Sequence, residues 1–213
     1  MKDIAIYGAG GFGREVLTVI HDINKSEKKW NIIGFFDDGK EKGEFINNYP
    51  LLGGIKALNE WSTPLSIAVS IGAPSVKKSI VQKISNPLID FPTLIHSSVV
   101  IGEERNVHFG KGCIICANNV ITTNVKIGDF VILNLCCTAG HDAVIGDFSA
   151  VMPVGIISGE VNIGEEVYIG TGATIINQIN IGRKAIIGAG AVVIRDVPNG
   201  ATVVGVPAKE IKT

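Results

Sequence analysis

Residues 139–164, AGHDAVIGDFSAVMPVGIISGEVNIG, carry a small or aliphatic residue at every sixth position. The repeat covers fifteen positions from Phe109 to Val193, and glycine follows the repeating residue at 110, 128, 140, 146, 164, 170, 182 and 188. A period of six fits neither an α-helix, with 3.6 residues per turn, nor a single strand, with two. It predicts coils of three short strands, each with one aliphatic side chain pointing inward. Such a chain is a parallel β-helix solenoid, here of five coils.

The repeat extends back to Ile89, with one step of eight residues between Ile101 and Phe109. We interpret this step as a two-residue bulge at a corner within 102–108. The repeat ends after Val193. Residues 196–213 are expected to cap the solenoid, because a bare end exposes the core and the strand edges. The sequence therefore predicts an all-β domain over residues 89–213.

Residues 1–88 have the pattern of a small α/β domain. Apolar runs predict buried strands at 3–7 (DIAIY), 31–36 (NIIGFF) and 66–71 (SIAVSI), with a short strand near residue 51. Apolar residues spaced three and four apart predict helices over 14–24 and 55–61, and a third starting at Pro74. This alternation predicts a parallel sheet of half-Rossmann type.

The composition excludes several classes of function. The net charge is −1 without a cluster of Lys and Arg, which argues against a nucleic-acid partner, and no apolar run is long enough for membrane insertion. The N-terminus runs directly into a strand, so we expect a cytoplasmic protein with four reduced, structural cysteines. Charged residues make up only 18%, which suggests that other subunits cover part of the surface.

A glycine-rich turn joins the first strand to the first helix. Gly8-x-Gly10-x-x-Gly13 can cradle a phosphate, and Asp37 closes the second strand 24 residues after Gly13, where dinucleotide enzymes place a ribose-binding acid. About 85 residues supply little more than half a dinucleotide site, and half a site suits a nucleotide-linked sugar. The alternative is a structural turn beside a solvated pair of acids, Asp37 and Asp38.

One of the four histidines is a candidate general base. His141 follows a glycine at a predicted coil corner and precedes Asp142, whose carboxylate can set the imidazole tautomer and raise its basicity. The alternative is a solvated corner histidine. A zinc site of three histidines from adjacent coils is excluded, because the positions 18 residues before and after His141 are Thr123 and Gly159. Cys113-x-x-Cys116 lacks a second such pair, so no metal is expected.

The whole chain resembles the bacterial sugar acetyltransferases that join a Rossmann-like domain to a left-handed β-helix. These include UDP-4-amino-sugar N-acetyltransferases, perosamine N-acetyltransferases and proteins like sialic acid O-acetyltransferase. The matching segments are GAGGFGRE (8–15), FFDD (35–38), SIG (70–72), ILN (132–134), GHDAVIGD (140–147), SGEVNIG (158–164), GAGAVV (188–193) and VVGVPAK (203–209). The resemblance implies left-handed coiling and a homotrimer that binds acetyl-CoA between neighbouring solenoids.

The resemblance also implies roles for individual residues. It implies a catalytic group, in which His141 is the general base, Asp142 its carboxylate partner and Asn134 a further active-site residue. The backbone amide of Gly159 faces the acetyl group, and the backbone at Thr171 and Ala189 lines the acetyl-CoA channel. The nucleotide-sugar pocket is implied to include Gly13, Asp37, Asp38 and Gly72.

These observations predict an acetyltransferase that uses acetyl-CoA and no metal. The acceptor is expected to be the amino group of a nucleotide-linked amino sugar in cell-surface glycan biosynthesis. A sugar O-acetyltransferase of the sialic acid type is the first alternative. A serine-acetyltransferase-like enzyme would not need the glycine turn and the two acids, and a non-catalytic nucleotide-sugar-binding protein would not need His141.

Overall fold

The computed structural model describes residues 1–211, which form an N-terminal α/β unit followed by a three-sided solenoid. The strands of the first unit are β1 (Lys2–Tyr7), β2 (Trp30–Phe36), β3 (Phe45–Ile46), β4 (Tyr49–Gly53), β5 (Leu65–Val69) and β6 (Ile89–Asp90). Its helices are α1 (Gly11–Ser26), α2 (Ile55–Asn59) and α3 (Pro74–Lys83). The sheet order is β3-β4-β2-β1-β5-β6, and only the β3–β4 pair is antiparallel.

Helix α1 begins three residues earlier than the sequence pattern predicts. Within the glycine turn only Gly8 has a positive φ, of 106°, so the chain is already helical from Gly11. Gly13 is needed for a different reason: a Cβ at this position would lie 1.9 Å from the carbonyl oxygen of Gly8. The helix therefore packs tightly against the end of β1, where Tyr7 and Gly8 border a cleft.

The N-terminal sheet extends two residues past the boundary that we placed after residue 88. Ile89 and Asp90 form β6, which pairs in parallel with Leu65 and Ser66 of β5. The hydroxyl of Ser66 also donates a hydrogen bond of 2.8 Å to Asp90. Ile89 keeps the six-residue spacing but belongs to this sheet and not to the solenoid.

The solenoid has three faces built from two-residue strands. The first face contains β7 (Leu94–Ile95), β10 (Ile114–Ile115), β13 (Ile132–Leu133), β16 (Ala150–Val151), β19 (Tyr168–Ile169) and β22 (Ile186–Ile187). The second contains β8 (Val100–Ile101), β11 (Val120–Ile121), β14 (Thr138–Ala139), β17 (Ile156–Ile157), β20 (Thr174–Ile175) and β23 (Val192–Val193). The third contains β9 (His108–Phe109), β12 (Lys126–Ile127), β15 (Val144–Ile145), β18 (Asn162–Ile163) and β21 (Asn180–Ile181).

The strand register confirms both the repeat and the predicted bulge. Ile115 pairs with Leu133, eighteen residues on, whereas Ile101 pairs with Ile121, twenty residues on. The two extra residues lie between β8 and β9, where a 3₁₀ turn spans Glu104–Asn106. The repeating residues from Ile115 to Val193 are all buried in one core, as the sequence predicts.

A second position in each repeat also points inward, four residues after the first. Cys113 and Cys137 occupy this position as buried core residues. Asn119 and Ser149 occupy it as well, and both are fully buried. Their side chains hydrogen-bond backbone groups: Asn119 donates to the carbonyl of Cys116 at 2.7 Å, and Ser149 to that of Gly164 at 2.9 Å. Polar residues are therefore tolerated in this core where backbone groups can pair with them.

The chain turns each corner through a residue in the left-handed conformation. Such a residue occurs at every sixth position from 112 to 190. The 1–2 corner column, between the first and second faces, has these residues at 118, 136, 154, 172 and 190; the 2–3 column has them at 124, 142, 160 and 178; the 3–1 column has them at 112, 130, 148, 166 and 184. Successive coils are linked there by backbone hydrogen bonds, such as Phe148 N to Asp129 O at 2.8 Å.

The N-terminal unit packs on the first face of the solenoid, over the coils nearest its N-terminal end. Val16 and Ile20 of α1 share a core with the outward side chains Leu94, Ile114 and Ile132. Helix α3 contacts the 3–1 corner column, where Lys77 is 1% exposed and its Nζ lies 3.3 Å from the carbonyl oxygen of Ser149. Phe130 and Phe148 are stacked at this corner.

The lower end of the solenoid is covered by the C-terminal segment, as predicted for a cap. Strand β24 (Thr202–Val204) continues the first face, and β25 (Lys209–Ile211) pairs with it in antiparallel direction. Residues 212 and 213 of the predicted cap lie outside the described part of the chain. Among residues 1–211, no helix has the length and apolar character needed to cross a membrane.

Candidate active site

His141 and Asp142 form a hydrogen-bonded pair at the 2–3 corner. Strand β14 ends at Ala139, and Asp142 is the left-handed corner residue, with a φ of 60°. The turn brings the two side chains together, so that Nδ1 of His141 lies 2.9 Å from Oδ2 of Asp142. About half of each side chain remains exposed to solvent. The pair is thus preorganised and accessible to a substrate.

The hydrogen bonds of Asp142 set the tautomer of His141. The bond from His141, followed by one of 3.0 Å from the side-chain amide of Asn124, lowers the pKa of Asp142 below its ordinary value. An ionised carboxylate can only accept hydrogen bonds, so Nδ1 carries the proton. The lone pair of Nε2 is therefore free to accept a proton from a substrate.

Gly159 lies in the next coil towards the C-terminus, directly against the imidazole ring of His141. A Cβ at position 159 would come within 2.4 Å of Nε2 and 2.5 Å of Cε1. Among the hydrogen bonds formed within residues 1–211, the amide of Gly159 donates none. A free backbone donor thus lies beside the proposed proton acceptor.

Asn134, Thr171 and Ala189 lie at a different corner from His141. Asn134 directly follows β13, and its Oδ1 accepts a hydrogen bond of 2.7 Å from the amide of Leu135. Thr171 and Ala189 are exposed and precede the left-handed glycines of the same 1–2 column. Within one chain, this group is separated from His141 by the width of the second face.

The two acids of the N-terminal unit border a cleft of about 450 Å³ between the ends of β1 and β2 and one side of α3. Asp37 accepts hydrogen bonds of 2.8 Å from the amides of Ala9 and Gly39. The Asp37 carboxylate therefore already accepts a hydrogen bond from one backbone amide of the glycine turn, which we predicted to bind phosphate. Of that turn only Gly8 lines the cleft, while Gly13 packs behind it.

Asp38 is held by one side-chain and one backbone donor. Oδ2 accepts a hydrogen bond from the hydroxyl of Tyr7, and Oδ1 accepts one of 2.8 Å from the amide of Ile55, the first residue of α2. Burial, together with the Asp38 carboxylate, raises the pKa of Tyr7 well above its ordinary value. The hydroxyl therefore stays protonated and donates to Asp38.

Other residues of the cleft had no signal in the sequence. Ser75, Ser79 and Lys83 line it from α3 at helical spacing, but they belong to no motif that would assign them to a site. Gly72 lies in a neighbouring cavity and not in this one. Of the predicted pocket residues, Asp37 and Asp38 thus line the cleft, whereas Gly72 lines the neighbouring cavity and Gly13 lies in the turn behind the cleft.

Three of the four cysteines are buried in the solenoid, and the fourth, Cys136, is exposed at a corner. Cys113, Cys116 and Cys137 are buried, and burial raises their pKa values to about 11, 12 and 11. They are therefore thiols that fill space in the core. Within residues 1–211, no cluster of three or more His, Cys, Asp or Glu side chains could hold a metal ion.

The chain is similar to known proteins over its full length. The PglD N-terminal domain family matches residues 3–84. The GDP-perosamine N-acetyltransferase of Escherichia coli O157:H7 is 32% identical over 217 aligned residues, which cover 100% of this chain and 97% of that protein.

Solved structures agree with this relationship. The acetyltransferase domain of PglB from Neisseria gonorrhoeae FA1090, in complex with acetyl coenzyme A, is 32% identical, with a TM-score of 0.88 and 99% of each chain covered. PerB from Caulobacter crescentus, in complex with CoA and GDP-perosamine, is 27% identical, with a TM-score of 0.89 and 100% and 98% of the chains covered. The predicted fold class, a half-Rossmann unit followed by a left-handed parallel β-helix, and the predicted enzyme class are confirmed. The chain belongs to the family of bacterial sugar acetyltransferases that includes GDP-perosamine N-acetyltransferase.

Proposed function

We propose that this protein transfers the acetyl group of acetyl-CoA to the amino group of a nucleotide-linked amino sugar, with His141 as the general base. The observation that carries the proposal is the hydrogen bond between Nδ1 of His141 and Asp142, which leaves Nε2 free beside the unpaired amide of Gly159. The relatives support the choice of ligands, since PglB holds acetyl coenzyme A and PerB holds CoA with GDP-perosamine.

The chemistry follows from this geometry. Nε2 of His141 takes a proton as the sugar amine attacks the thioester carbonyl. The amide of Gly159 donates to the oxyanion that develops on that carbonyl. The imidazolium, stabilised by Asp142, then protonates the departing CoA thiolate. No covalent enzyme intermediate is needed.

The predicted site residues lie at two corners of the solenoid, the 2–3 corner with His141 and the 1–2 corner with Asn134, Thr171 and Ala189. These two groups can form one site only if they come from different subunits. We propose a homotrimer in which the second faces surround the threefold axis. The 1–2 corner of one subunit, with Asn134, Thr171 and Ala189, then meets the 2–3 corner of its neighbour, with His141. The outward residues of the second face support this arrangement, because Val100, Val120 and Ile156 are 57%, 40% and 39% exposed. Thr138 and Thr174 occupy the same column without adding a charge, and an uncharged surface with exposed aliphatic side chains is typical of an interface between subunits.

The N-terminal cleft supplies the acceptor site in this proposal. Asp37 follows β2 and Gly72 follows β5, on either side of β1, so both lie at the carboxyl edge of the sheet near the point between β1 and β5 where the strand order reverses and ligands bind in such folds. The enzyme would act in the cytoplasm, where acetyl-CoA and nucleotide sugars are available, and its product would enter cell-surface glycan biosynthesis.

A substrate panel tests the reaction. GDP-perosamine, UDP- and dTDP-linked 4-amino sugars, the matching 4-hydroxy sugars and CMP-sialic acid are each incubated with acetyl-CoA, and free thiol release is measured. We expect turnover with an amino sugar and none with the matching 4-hydroxy sugar. Acetylation of a hydroxyl alone would favour the O-acetyltransferase alternative, and no turnover with any sugar nucleotide would contradict the proposal.

Mixing inactive variants tests the shared site. His141→Ala and Ala189→Trp alter different corners of the chain. Each variant alone should be inactive, but trimers assembled from both should contain intact sites built from the unaltered corner of each subunit. Recovered activity after co-refolding supports a site between subunits, whereas no recovery in mixed trimers would place the site within one chain.

A further inference from the structure

The 2–3 corner column carries amide or carboxylate side chains at four successive corners: Asn124, Asp142, Glu160 and Gln178. These residues lie in consecutive coils, so neighbours in the column are separated by the strand spacing of about 4.8 Å. The two carboxylates occupy the middle of the column, and the two amides occupy its ends. The candidate active site accounts for Asp142 alone, and no sequence motif assigns a role to Asn124.

Each amide donates a hydrogen bond to the carboxylate next to it. Nδ2 of Asn124 lies 3.0 Å from Oδ1 of Asp142, and Nε2 of Gln178 lies 3.2 Å from Oε2 of Glu160. Like charges at directly adjacent positions of neighbouring strands destabilise each other. The two amides hold the carboxylates towards opposite ends of the column and so keep them apart. Each carboxylate therefore has its own amide partner.

The two oxygens of Asp142 have different partners. Oδ1 accepts the hydrogen bond from Asn124, and Oδ2 accepts the one of 2.9 Å from Nδ1 of His141. Within the described residues, no other side chain donates to this carboxylate. The backbone of Asp142 is already fixed, because its amide donates to the carbonyl of Thr123 at 3.0 Å. Asn124 therefore restricts the one remaining motion, the rotation of the carboxylate.

This restriction matters because the pair is open to solvent. About half of each side chain of His141 and Asp142 is exposed, so water competes for their hydrogen bond. An exposed pair of charged or polar side chains also loses conformational entropy when it is held in one geometry. A carboxylate that Asn124 already holds loses less entropy when it binds the imidazole, and bonds in such a network support one another.

We propose that Asn124 is a positioning residue, which acts through Asp142 to keep the proton on Nδ1 of His141 and the lone pair of Nε2 available to the substrate. Its action is indirect, since its amide bonds to the carboxylate and not to the imidazole. The inference rests on the proposed function, in which His141 is the general base.

Three variants separate this role from a structural one. Asn124→Gly removes the amide, and glycine accepts the left-handed corner, where φ is 56°. Asn124→Gln keeps an amide donor, and Gln178 has the same left-handed conformation in this column, with a φ of 62°. Gln178→Gly is the matched control, because it removes an amide from the same column whose partner, Glu160, is not bonded to His141.

We expect Asn124→Gly to reduce kcat by about three- to tenfold, as for the loss of one hydrogen bond to a charged group that is exposed to water. The KM for acetyl-CoA and the thermal unfolding temperature should stay near the wild-type values. Asn124→Gln should recover most of the activity, and Gln178→Gly should keep the wild-type kcat. In the Asp142→Asn background, Asn124→Gly should cause no further loss, since residues of one hydrogen-bond network are not additive.

The tautomer of His141 can also be measured without turnover. In protein with ¹⁵N-labelled histidine, the chemical shifts of the two ring nitrogens show which of them carries the proton, and His141→Asn identifies the signals of His141 among the four histidines. The wild type should show the proton on Nδ1. Asn124→Gly should show a mixture of both tautomers, and Gln178→Gly should resemble the wild type.

Several results would overturn the inference while the proposed function stands. One is an unchanged kcat, or an unchanged tautomer of His141, in folded Asn124→Gly. Another is an equal loss of kcat from Asn124→Gly in the wild-type and Asp142→Asn backgrounds, because Asn124 would then not act through Asp142. If the wild type turns over no sugar nucleotide, the proposed function fails, and the ¹⁵N shifts still decide whether Asn124 sets the tautomer.

Discussion

The imidazole of His141 rests on the Cα of Gly159 in the next coil, so closely that a methyl group at position 159 would lie 2.4 Å from Nε2. Gly159→Ala should therefore push the ring away from its present position. Because the imidazole is half-exposed and can move, the thermal unfolding temperature should change little while kcat/KM falls at least tenfold. Steady-state kinetics and thermal melts check this pair of effects. Unchanged kinetics in a folded variant would mean that the position of Nε2 does not matter.

Replacing His141 by Asn should reduce kcat by about 10²–10⁴, the range expected for loss of a general base. The KM for acetyl-CoA should change little, because the proposed channel is formed by backbone at other residues. His108→Asn, at an exposed position of the third face, is a control and should keep wild-type turnover. A His141→Asn enzyme with normal kcat would remove the proposed mechanism.

Asp142→Asn should reduce kcat, but less than His141→Asn does. Asparagine tolerates the left-handed conformation of this corner, so the backbone should be preserved. The low pKa of Asp142 keeps its carboxylate charged, and a charged carboxylate can only accept the hydrogen of Nδ1. The asparagine amide can donate as well as accept, so it no longer enforces this tautomer. Steady-state kinetics check the effect, and an unchanged kcat would mean that the carboxylate does not orient the catalytic imidazole.

Asp37→Ala should raise the KM for the nucleotide sugar tenfold or more, about 1.4 kcal/mol of lost binding, and leave the KM for acetyl-CoA near the wild-type value. Asp38→Ala should behave differently, since it leaves the hydroxyl of Tyr7 and the amide of Ile55 without their acceptor. We expect a lower free energy of unfolding, by about 1–3 kcal/mol. Calorimetry with each ligand and urea unfolding separate the two effects, and unchanged nucleotide-sugar affinity of Asp37→Ala would contradict this assignment.

Lys77→Met should stabilise the protein most at or below neutral pH. Burial lowers the pKa of Lys77 from 10.5 to about 7, so between these values the unfolded chain binds a proton that the folded protein does not. The free energy of unfolding of the wild type should therefore rise with pH across this window. The advantage of Lys77→Met should be largest below pH 7 and vanish towards pH 10.5. Lys77→Arg, which stays charged, should destabilise; urea unfolding of all three proteins that shows a constant difference would contradict the assignment.

The sequence alone determined the solenoid and its dimensions. The spacing of the inward residues is a local property, because each strand sends one aliphatic side chain into the core and then turns. The eight-residue step from Ile101 to Phe109 was readable for the same reason. The second inward position was hidden, since Asn119 and Ser149 occupy it in a core that otherwise takes apolar residues.

The candidate base could also be identified from the sequence, because His141 and Asp142 are adjacent and share a corner. Its contact with Gly159 depends on a neighbour eighteen residues away, which the regular register makes predictable. The left-handed corner residues could not be identified from the sequence. Phe130, Phe148 and Val154 occupy such corners, although bulky and β-branched residues rarely adopt a positive φ.

Only the tertiary structure decided which site residues meet. It separated Asn134, Thr171 and Ala189 from His141 by a full face, and it tied Asp37 to the glycine turn. It also left Ile186 exposed on the first face, beyond the coils that α1 covers. These relations depend on how the N-terminal unit docks on one face and on how three faces close around a core. Residue spacing in the sequence specifies the path of the chain through each coil, but not which surfaces of separate units come into contact.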